Sequence, residues 1–327
     1  DPAVFSAQVF RNFDVNAKFT AAIEQKKSGI LKKCHLLRDA LKFDSGKEAA
    51  VQAVQNVNVV ANTMKDGKTV GIFIFRANGF RDNKIDFTKE DAAKLWLEVI
   101  QELETRGYDY DLLTSGHFGD EAFLDYLIRK YGVKESRCVF NMNTPEKLIE
   151  KISSYDAVIS CRLHPSIISF SLNVPSVGLI WNSKVTHFYE CMGYEDRAIA
   201  VEGLEAKGLV DKVEEIMAQG VAKDEEYLMT VYRYLFYGIQ NALGLQGRES
   251  SPYSYAMLTE NIPAYTKTSA KEQGDKLKRK FRRIYETLNM RMDKVEKLRE
   301  IESFYRIFYH SGKTGEGIAL LPGWDSK

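Results

Sequence analysis

The sequence predicts an α/β fold: a parallel sheet flanked by helices, with helical amino-terminal and carboxyl-terminal extensions. Two observations carry this. Between residues 68 and 200, short apolar runs alternate with stretches of helical periodicity, the pattern of parallel strands joined by crossover helices. On either side, apolar residues recur at three- and four-residue spacing instead. The chain therefore divides into a mostly helical segment at 1–66, a sheet domain with packed helices at 67–245 and a long-helix extension at 246–327.

In order, Ala21 to Leu41 and Lys47 to Met64 carry helix formers with a helical apolar period, and Asp66-Gly67 closes them with a turn. Thr69 to Phe75 is a continuous apolar run suited to a strand buried on both faces. Thr88, with Asp91 three positions on, opens a helix that ends near Thr105 and Gly107. Tyr110 to Thr114 reads as a strand, Asp120 to Tyr131 as a helix closed by Gly132, and Arg137 to Phe140 as a short strand. Thr144-Pro145 is an N-cap followed by proline at the first helical position, for a helix through Ser153. Ala157 to Ser160 is a strand, Pro165 to Leu172 a helix and Ser176 to Ile180 a strand. Residues 203–243 are helical, and Tyr227, Tyr232, Tyr234, Phe236 and Tyr237 suggest a packed face. After the polar stretch 247–252, a long helix from Lys271 to His310 carries a stripe of Leu277, Phe281, Ile284, Leu288, Met292, Val295 and Leu298, fit for packing along another helix.

A formal net charge of +1 offers no global field for nucleic acid. No window approaches the roughly 18 unbroken apolar residues of a membrane span, and the start Asp1-Pro2-Ala3 lacks a signal pattern. Without an initiator Met, the chain is expected to begin downstream of its natural start or to have been processed. Cys34, Cys138, Cys161 and Cys191 are far apart, which argues against a zinc site and for reduced thiols in a cytoplasmic protein.

The segment from Ser154 to Lys184 reads as strand, polar turn, helix, turn, strand, with Arg162 and His164 at the carboxyl end of its first strand. Ligands bind there in open parallel sheets, and the following helix offers free amides and a positive dipole end to an anion. Arg can clamp a carboxylate or phosphate, and His can bind or move a proton. An ion pair between Arg162 and a neighbouring Asp, with His164 capping the helix, would account for the same residues without a ligand.

Ser160-Cys-Arg-Leu-His164, a helix, Asn173-Val-Pro-Ser-Val177 and Lys184 together resemble the signature of the polysaccharide pyruvyltransferase family. His187 to Gly193, the strand ending in Arg76 and Asp1-Pro-Ala3 are similar to further family segments. The resemblance covers about 68–200. It implies a Rossmann-like unit, one half of a GT-B-like fold, and the transfer of pyruvate from phosphoenolpyruvate to a sugar as a ketal. It further implies that Arg76, Arg162 and His164 line the donor pocket, with Leu163 acting through its backbone and His164 as the acid. Ser115 and Gly116 would touch the ligand from a strand-to-helix turn, and the family match includes Lys184. No metal or cofactor is required. The family's amino-terminal domain is expected to lie outside this chain, since the Asp-Pro-Ala match sits at position 1.

The expected partners are phosphoenolpyruvate and a sugar acceptor, lipid-linked in many such pathways, with no nucleic acid. The basic run from Lys276 to Arg283 would suit an anionic surface at the inner face of the membrane, although most such runs are solvated. The long helix, with Phe304, Tyr305, Phe308 and Tyr309, would suit a homodimer seam. His187 and Glu190 read as a solvated pair, and His35, His117 and His310 have no evident partner. Two alternatives stay open: a GT-B-type glycosyltransferase using a nucleotide sugar, with Glu190 the nearby candidate for ribose, and a non-catalytic interaction relative.

Overall fold

The computed structural model describes residues 1–13, 67–76, 78–140, 142–245 and 254–291. The helices expected at 21–41 and 47–64 lie outside these residues, as do the long helix beyond 291, Cys34, His35, His310 and the aromatic residues at 304–309.

Six strands form one all-parallel sheet: β1 (Thr69–Phe73), β2 (Asp109–Leu113), β3 (Cys138–Val139), β4 (Ala157–Ser160), β5 (Ser176–Ile180) and β6 (Ala198–Ala200). Their order is β3-β2-β1-β4-β5-β6. The α/β, Rossmann-like expectation holds. The chain winds outward from β1 in one direction, then returns to start again at β4, so the order reverses between β1 and β4. That reversal opens a crevice at the carboxyl ends of the two strands.

Helices cover both faces. α2 (Asn78–Asp82) and α3 (Lys89–Thr105) link β1 to β2, and α4 (Phe118–Tyr131) links β2 to β3. α5 (Pro145–Ser153), α6 (Leu163–Ser171) and α7 (Ser183–Cys191) follow β3, β4 and β5, and α8 (Ala206–Gln219) and α9 (Glu225–Ala242) follow β6. Alternation along each strand sorts the core. Val70, Ile72, Leu112, Ile159 and Leu179 pack against Trp96 and Leu103 of α3, Leu124 of α4 and Val213 of α8. Phe73, Leu113 and Val158 turn the other way, against Ile149 and Ile152 of α5 and Ile168 of α6. Gly71 sits on that second face because the Tyr155 ring occupies the space a Cβ would need.

Residues 1–13 and 255–265 close over the second face. Val4 and Phe5 join Phe170 of α6, Phe188 of α7, Leu228 and Met229 of α9, and Leu258 of the short α10 (Leu258–Asn261). Phe10, just past α1 (Ser6–Val9), stacks on Tyr265 with ring centroids 4.6 Å apart. The aromatic run of α9 splits: Tyr232 meets Phe5 edge-on at 5.9 Å, whereas Tyr234 and Tyr237 are exposed. The last described helix, α11 (Ala270–Arg291), buries Phe281 with Leu277 half-buried on the same stripe. No described helix is long and apolar enough to cross a membrane.

Candidate functional site

Three turns converge where the strand order reverses, leaving the carboxyl ends of β1, β2 and β4. Ser160 shapes the last of them: its hydroxyl accepts the Arg162 amide at 3.0 Å and donates to the Arg162 carbonyl at 2.6 Å. One short side chain thus closes the turn over two residues, which is the physical reason for serine two places before the arginine. The turn sets Arg162 at the N-cap of α6, and no side chain caps that helix. The amides of Leu163 and His164, ahead of Pro165, are available to an anion.

The Arg162 guanidinium lies over the Phe75 ring, 4.3 Å from its centroid, and pairs with Asp120 of α4. Nε donates to Asp120 Oδ2 at 2.9 Å, and Nη2 lies 2.8 Å from the same oxygen. Asp120 Oδ1 accepts the Arg76 amide at 3.2 Å. One carboxylate, with no exposed surface, therefore ties the end of β1 to the end of β4. Burial pushes the Asp120 carboxyl up, while Arg162 and the Arg76 amide pull it down.

Arg76 differs from Arg162. Among the described residues its guanidinium forms no close ion pair, although its charge helps hold the Asp120 carboxyl down, and its Nε is buried without a hydrogen bond. Its Nη1 lies 3.3 Å from His117 Nε2 and 3.5 Å from Nδ1. His117 is the N-cap of α4, with Nδ1 accepting the Gly119 amide at 3.1 Å. Burial first, then the charges of Arg76, Arg162 and Lys280, push this imidazole down to about 4, so it is neutral near pH 7. The cluster is a cationic recess whose histidine adds no charge of its own.

The other expected residues fall around this recess. Gly116 takes a left-handed φ of 87°, and a Cβ there would stand 2.5 Å from the Met142 carbonyl oxygen, so only glycine fits this turn without strain. Ser115 beside it is half-buried, as is Leu163, the first residue of α6, which packs against the cluster that holds Val185 and Phe188 of α7. Lys184 is exposed in the first turn of α7, its amide donating to the Asn182 side chain at 3.1 Å. His164 has 67% of its side chain exposed, and its Nε2 lies 3.4 Å from Asp1 Oδ2. Arg76 and Arg162 are thus brought together, and His164 and Lys184 stand at the open margin of the same sheet edge. The ligand-free account of Arg162 is met in part, because the ion pair with an Asp is present. The N-cap, however, is Arg162 itself and not His164. His187 and Glu190 form the exposed pair expected, at 3.1 Å.

Five residues of this region escaped the sequence: Phe75, His117, Asp120, Trp181 and Lys280. Phe75 lies between Arg162 and Trp181, with its ring 5.0 Å from the indole, whose Nε1 is buried without a hydrogen-bond partner. The available signal was Asp120-Glu121 opening a helix beside an apolar core, two carboxylates that need cations wherever they turn inward.

A family model described as "Polysaccharide pyruvyl transferase" matches residues 55–183. The matched span holds β1 to β5 with Arg76, Ser115, Gly116, Arg162, Leu163 and His164, and stops one residue before Lys184. It supports the family resemblance and, in general terms, a transferase acting on a pyruvyl group. No curated protein and no solved structure matches the chain.

Proposed function

We propose that this chain forms the donor-binding part of an enzyme that moves pyruvate from phosphoenolpyruvate to two hydroxyls of a sugar, as a ketal. Arg162 and His164 are the catalytic groups in this reading, and Arg76, Leu163, Lys184, Ser115 and Gly116 bind substrate. The observation that carries it is Arg76, a guanidinium in no close ion pair among the described residues and with a buried Nε that has no hydrogen bond, beside Arg162 at the strand-order reversal. Two arginines, the open amides of α6 and a neutral His117 suit a small donor bearing both a carboxylate and a phosphate.

The chemistry follows from charge. A proton delivered to the methylene carbon of the donor makes it a methyl group and leaves positive charge on the neighbouring carbon. That carbon is stabilised by its oxygen substituent while the arginines hold the anionic groups in place. One sugar hydroxyl attacks it, phosphate departs with the bridging oxygen, and the second hydroxyl closes the ketal. Of the two hydroxyl protons, one balances the proton spent on the methylene and the other leaves with phosphate. His164 is the acid in this reading, as the family resemblance implies, whereas His117, pushed down to about 4, stays neutral beside the arginines. The scheme needs no metal or cofactor. The acceptor would enter from the open margin near His164 and Lys184, opposite the second half expected of a GT-B-like enzyme. A sugar carried on a lipid would place the reaction at the cytoplasmic face of a membrane.

The strand order also suits a nucleotide, so uridine diphosphate belongs in the same calorimetric experiment as phosphoenolpyruvate. Arg76→Ala is expected to weaken phosphoenolpyruvate binding by on the order of 30- to 100-fold, the loss of a charge-assisted contact worth about 2–3 kcal/mol. His164→Ala should bind the donor and lose turnover with a competent acceptor. Uridine diphosphate binding without phosphoenolpyruvate binding would favour a glycosyltransferase, and binding of neither would remove the donor site from this chain.

A further inference from the structure

The first turn of α4 carries two consecutive carboxylates, Asp120 and Glu121, and neither has exposed surface. Each meets a cation from a distant part of the chain. Asp120 takes Arg162, as described. Glu121 takes Lys280 of α11, whose ammonium donates to its two oxygens at 2.8 and 2.7 Å and to Asn143 Oδ1 at 3.1 Å. A carboxylate removed from water is costly unless a cation and hydrogen bonds replace its hydration. The inward turn of α4 is therefore held in part by a residue 159 positions away.

Asn143 belongs to the loop between β3 and α5, directly after Met142, whose carbonyl backs Gly116. Lys280 thus joins α11 to the first turn of α4 and to the loop that supports the Ser115–Gly116 turn. His117 is the cap of that same α4 turn. Phe281, buried next to Lys280, seats the helix. The basic run divides accordingly: Lys278, Arg279, Arg282 and Arg283 are exposed, and Lys280 is turned inward with 16% of its side chain exposed.

We infer that Lys280 is a positioning residue of the donor site, through which α11 holds His117 and Asp120 in register with Arg76 and Arg162. The inference rests on the donor-site reading above and extends it, since it places one determinant of the site well beyond residues 55–183. Lys280 acts through Glu121 and Asn143 and not by touching the donor. Its charge also helps keep His117 neutral, together with Arg76 from the end of β1 and Arg162 from the turn after β4, against Asp120 at 4.0 Å on the same helix.

Lys280→Met alone would take a cation from the buried Glu121 carboxylate and could unfold the protein. The informative variant is the pair Glu121→Gln and Lys280→Met, which removes both charges and leaves the shape, with Lys280→Arg as the conservative control. Two readouts apply to the whole chain: the titration of the His117 imidazole by nuclear magnetic resonance without ligand, and calorimetric binding of phosphoenolpyruvate. In the paired variant donor affinity should fall by about tenfold or more, the usual consequence of small misplacement, and the His117 titration should move from its value of about 4 as the turn it caps shifts. Lys280→Arg should restore most of both. A folded paired variant with unchanged His117 titration and unchanged affinity would overturn the inference. A shifted His117 in a protein that binds no phosphoenolpyruvate even when unaltered would uphold the positioning by Lys280 and overturn the donor reading instead.

Discussion

At the scale of single residues, the neutral state of His117 has a measurable cost in acid. Its ordinary value of 6.5 is depressed to about 4 in the folded chain, by burial and by three neighbouring cations. The sign follows from proton counting. Above pH 6.5 the imidazole is neutral both folded and unfolded, and the fold keeps its full stability from this group. As pH falls from about 6.5 to about 4, the unfolded chain takes up a proton that the folded chain refuses, and stability drops. His117→Asn keeps an acceptor for the Gly119 amide and cannot titrate. Its urea unfolding midpoint should therefore fall less steeply between pH 7 and pH 4 than that of the unaltered chain, and equal slopes would show that His117 is not depressed. The sequence made Arg162 and His164 legible because their chemistry is local: a strand end, a serine-closed turn and a helix start. Asp120 was not legible as the partner of Arg162. An acidic residue in the first turn of a helix is equally explained by the helix dipole, and which way it faces is decided by packing.

Elements divide along the same line. α3 and α5 begin where their caps say, at Thr88 with its box to Asp91 and at Thr144 before Pro145, because a cap is a contact between residues two or three apart. α6 starts at Leu163, before the expected Pro165, since proline is tolerated anywhere in a first turn that lacks intrahelical donors. β6 and α2 were not read at all: three and five residues carry too little periodicity, and neighbours already in place define them. The turn between β2 and α4 was read only as a strand-to-helix turn whose Ser115 and Gly116 would touch the ligand. Its conformation has a plainer cause, the approach of the Met142 carbonyl to Gly116. Gly116→Ala would meet both a left-handed φ of 87° and that oxygen at 2.5 Å. It should cost about 1–3 kcal/mol in chemical denaturation and weaken donor binding, as the turn shifts under His117. An alanine variant of unaltered stability would mean that the loop carrying Met142 yields freely and that the turn is not braced by it.

At the scale of the whole molecule, the sheet unit is closed by segments that periodicity could not join. Residues 1–13 and 254–268 meet on its second face. The Tyr265 amide donates to the Val9 carbonyl at 2.7 Å, Arg11 Nη1 to the Ile262 carbonyl at 2.7 Å, and the Gln8 side chain to the Tyr255 hydroxyl at 3.1 Å. Phe10 stacks on Tyr265 within the cluster that holds Phe73 of β1 and Val158 of β4, the two strands that flank the crevice. Contacts across some 250 positions leave no spacing for a sequence reading to detect, which is why the two ends read as separate helical extensions. If they form one seal over the strands that carry Arg76 and Arg162, the two rings must share their stabilisation. Phe10→Ala should cost about 3–5 kcal/mol as a large-to-small change at a buried aromatic site. Combined with Tyr265→Ala, it should cost less than the sum of the single changes by about 0.5–1.5 kcal/mol, the coupling of a stacked pair. Additive losses in urea unfolding would mean that each end docks by itself. In that case the carboxyl-terminal segment would brace the site through Lys280 alone, with no help from the amino-terminal residues.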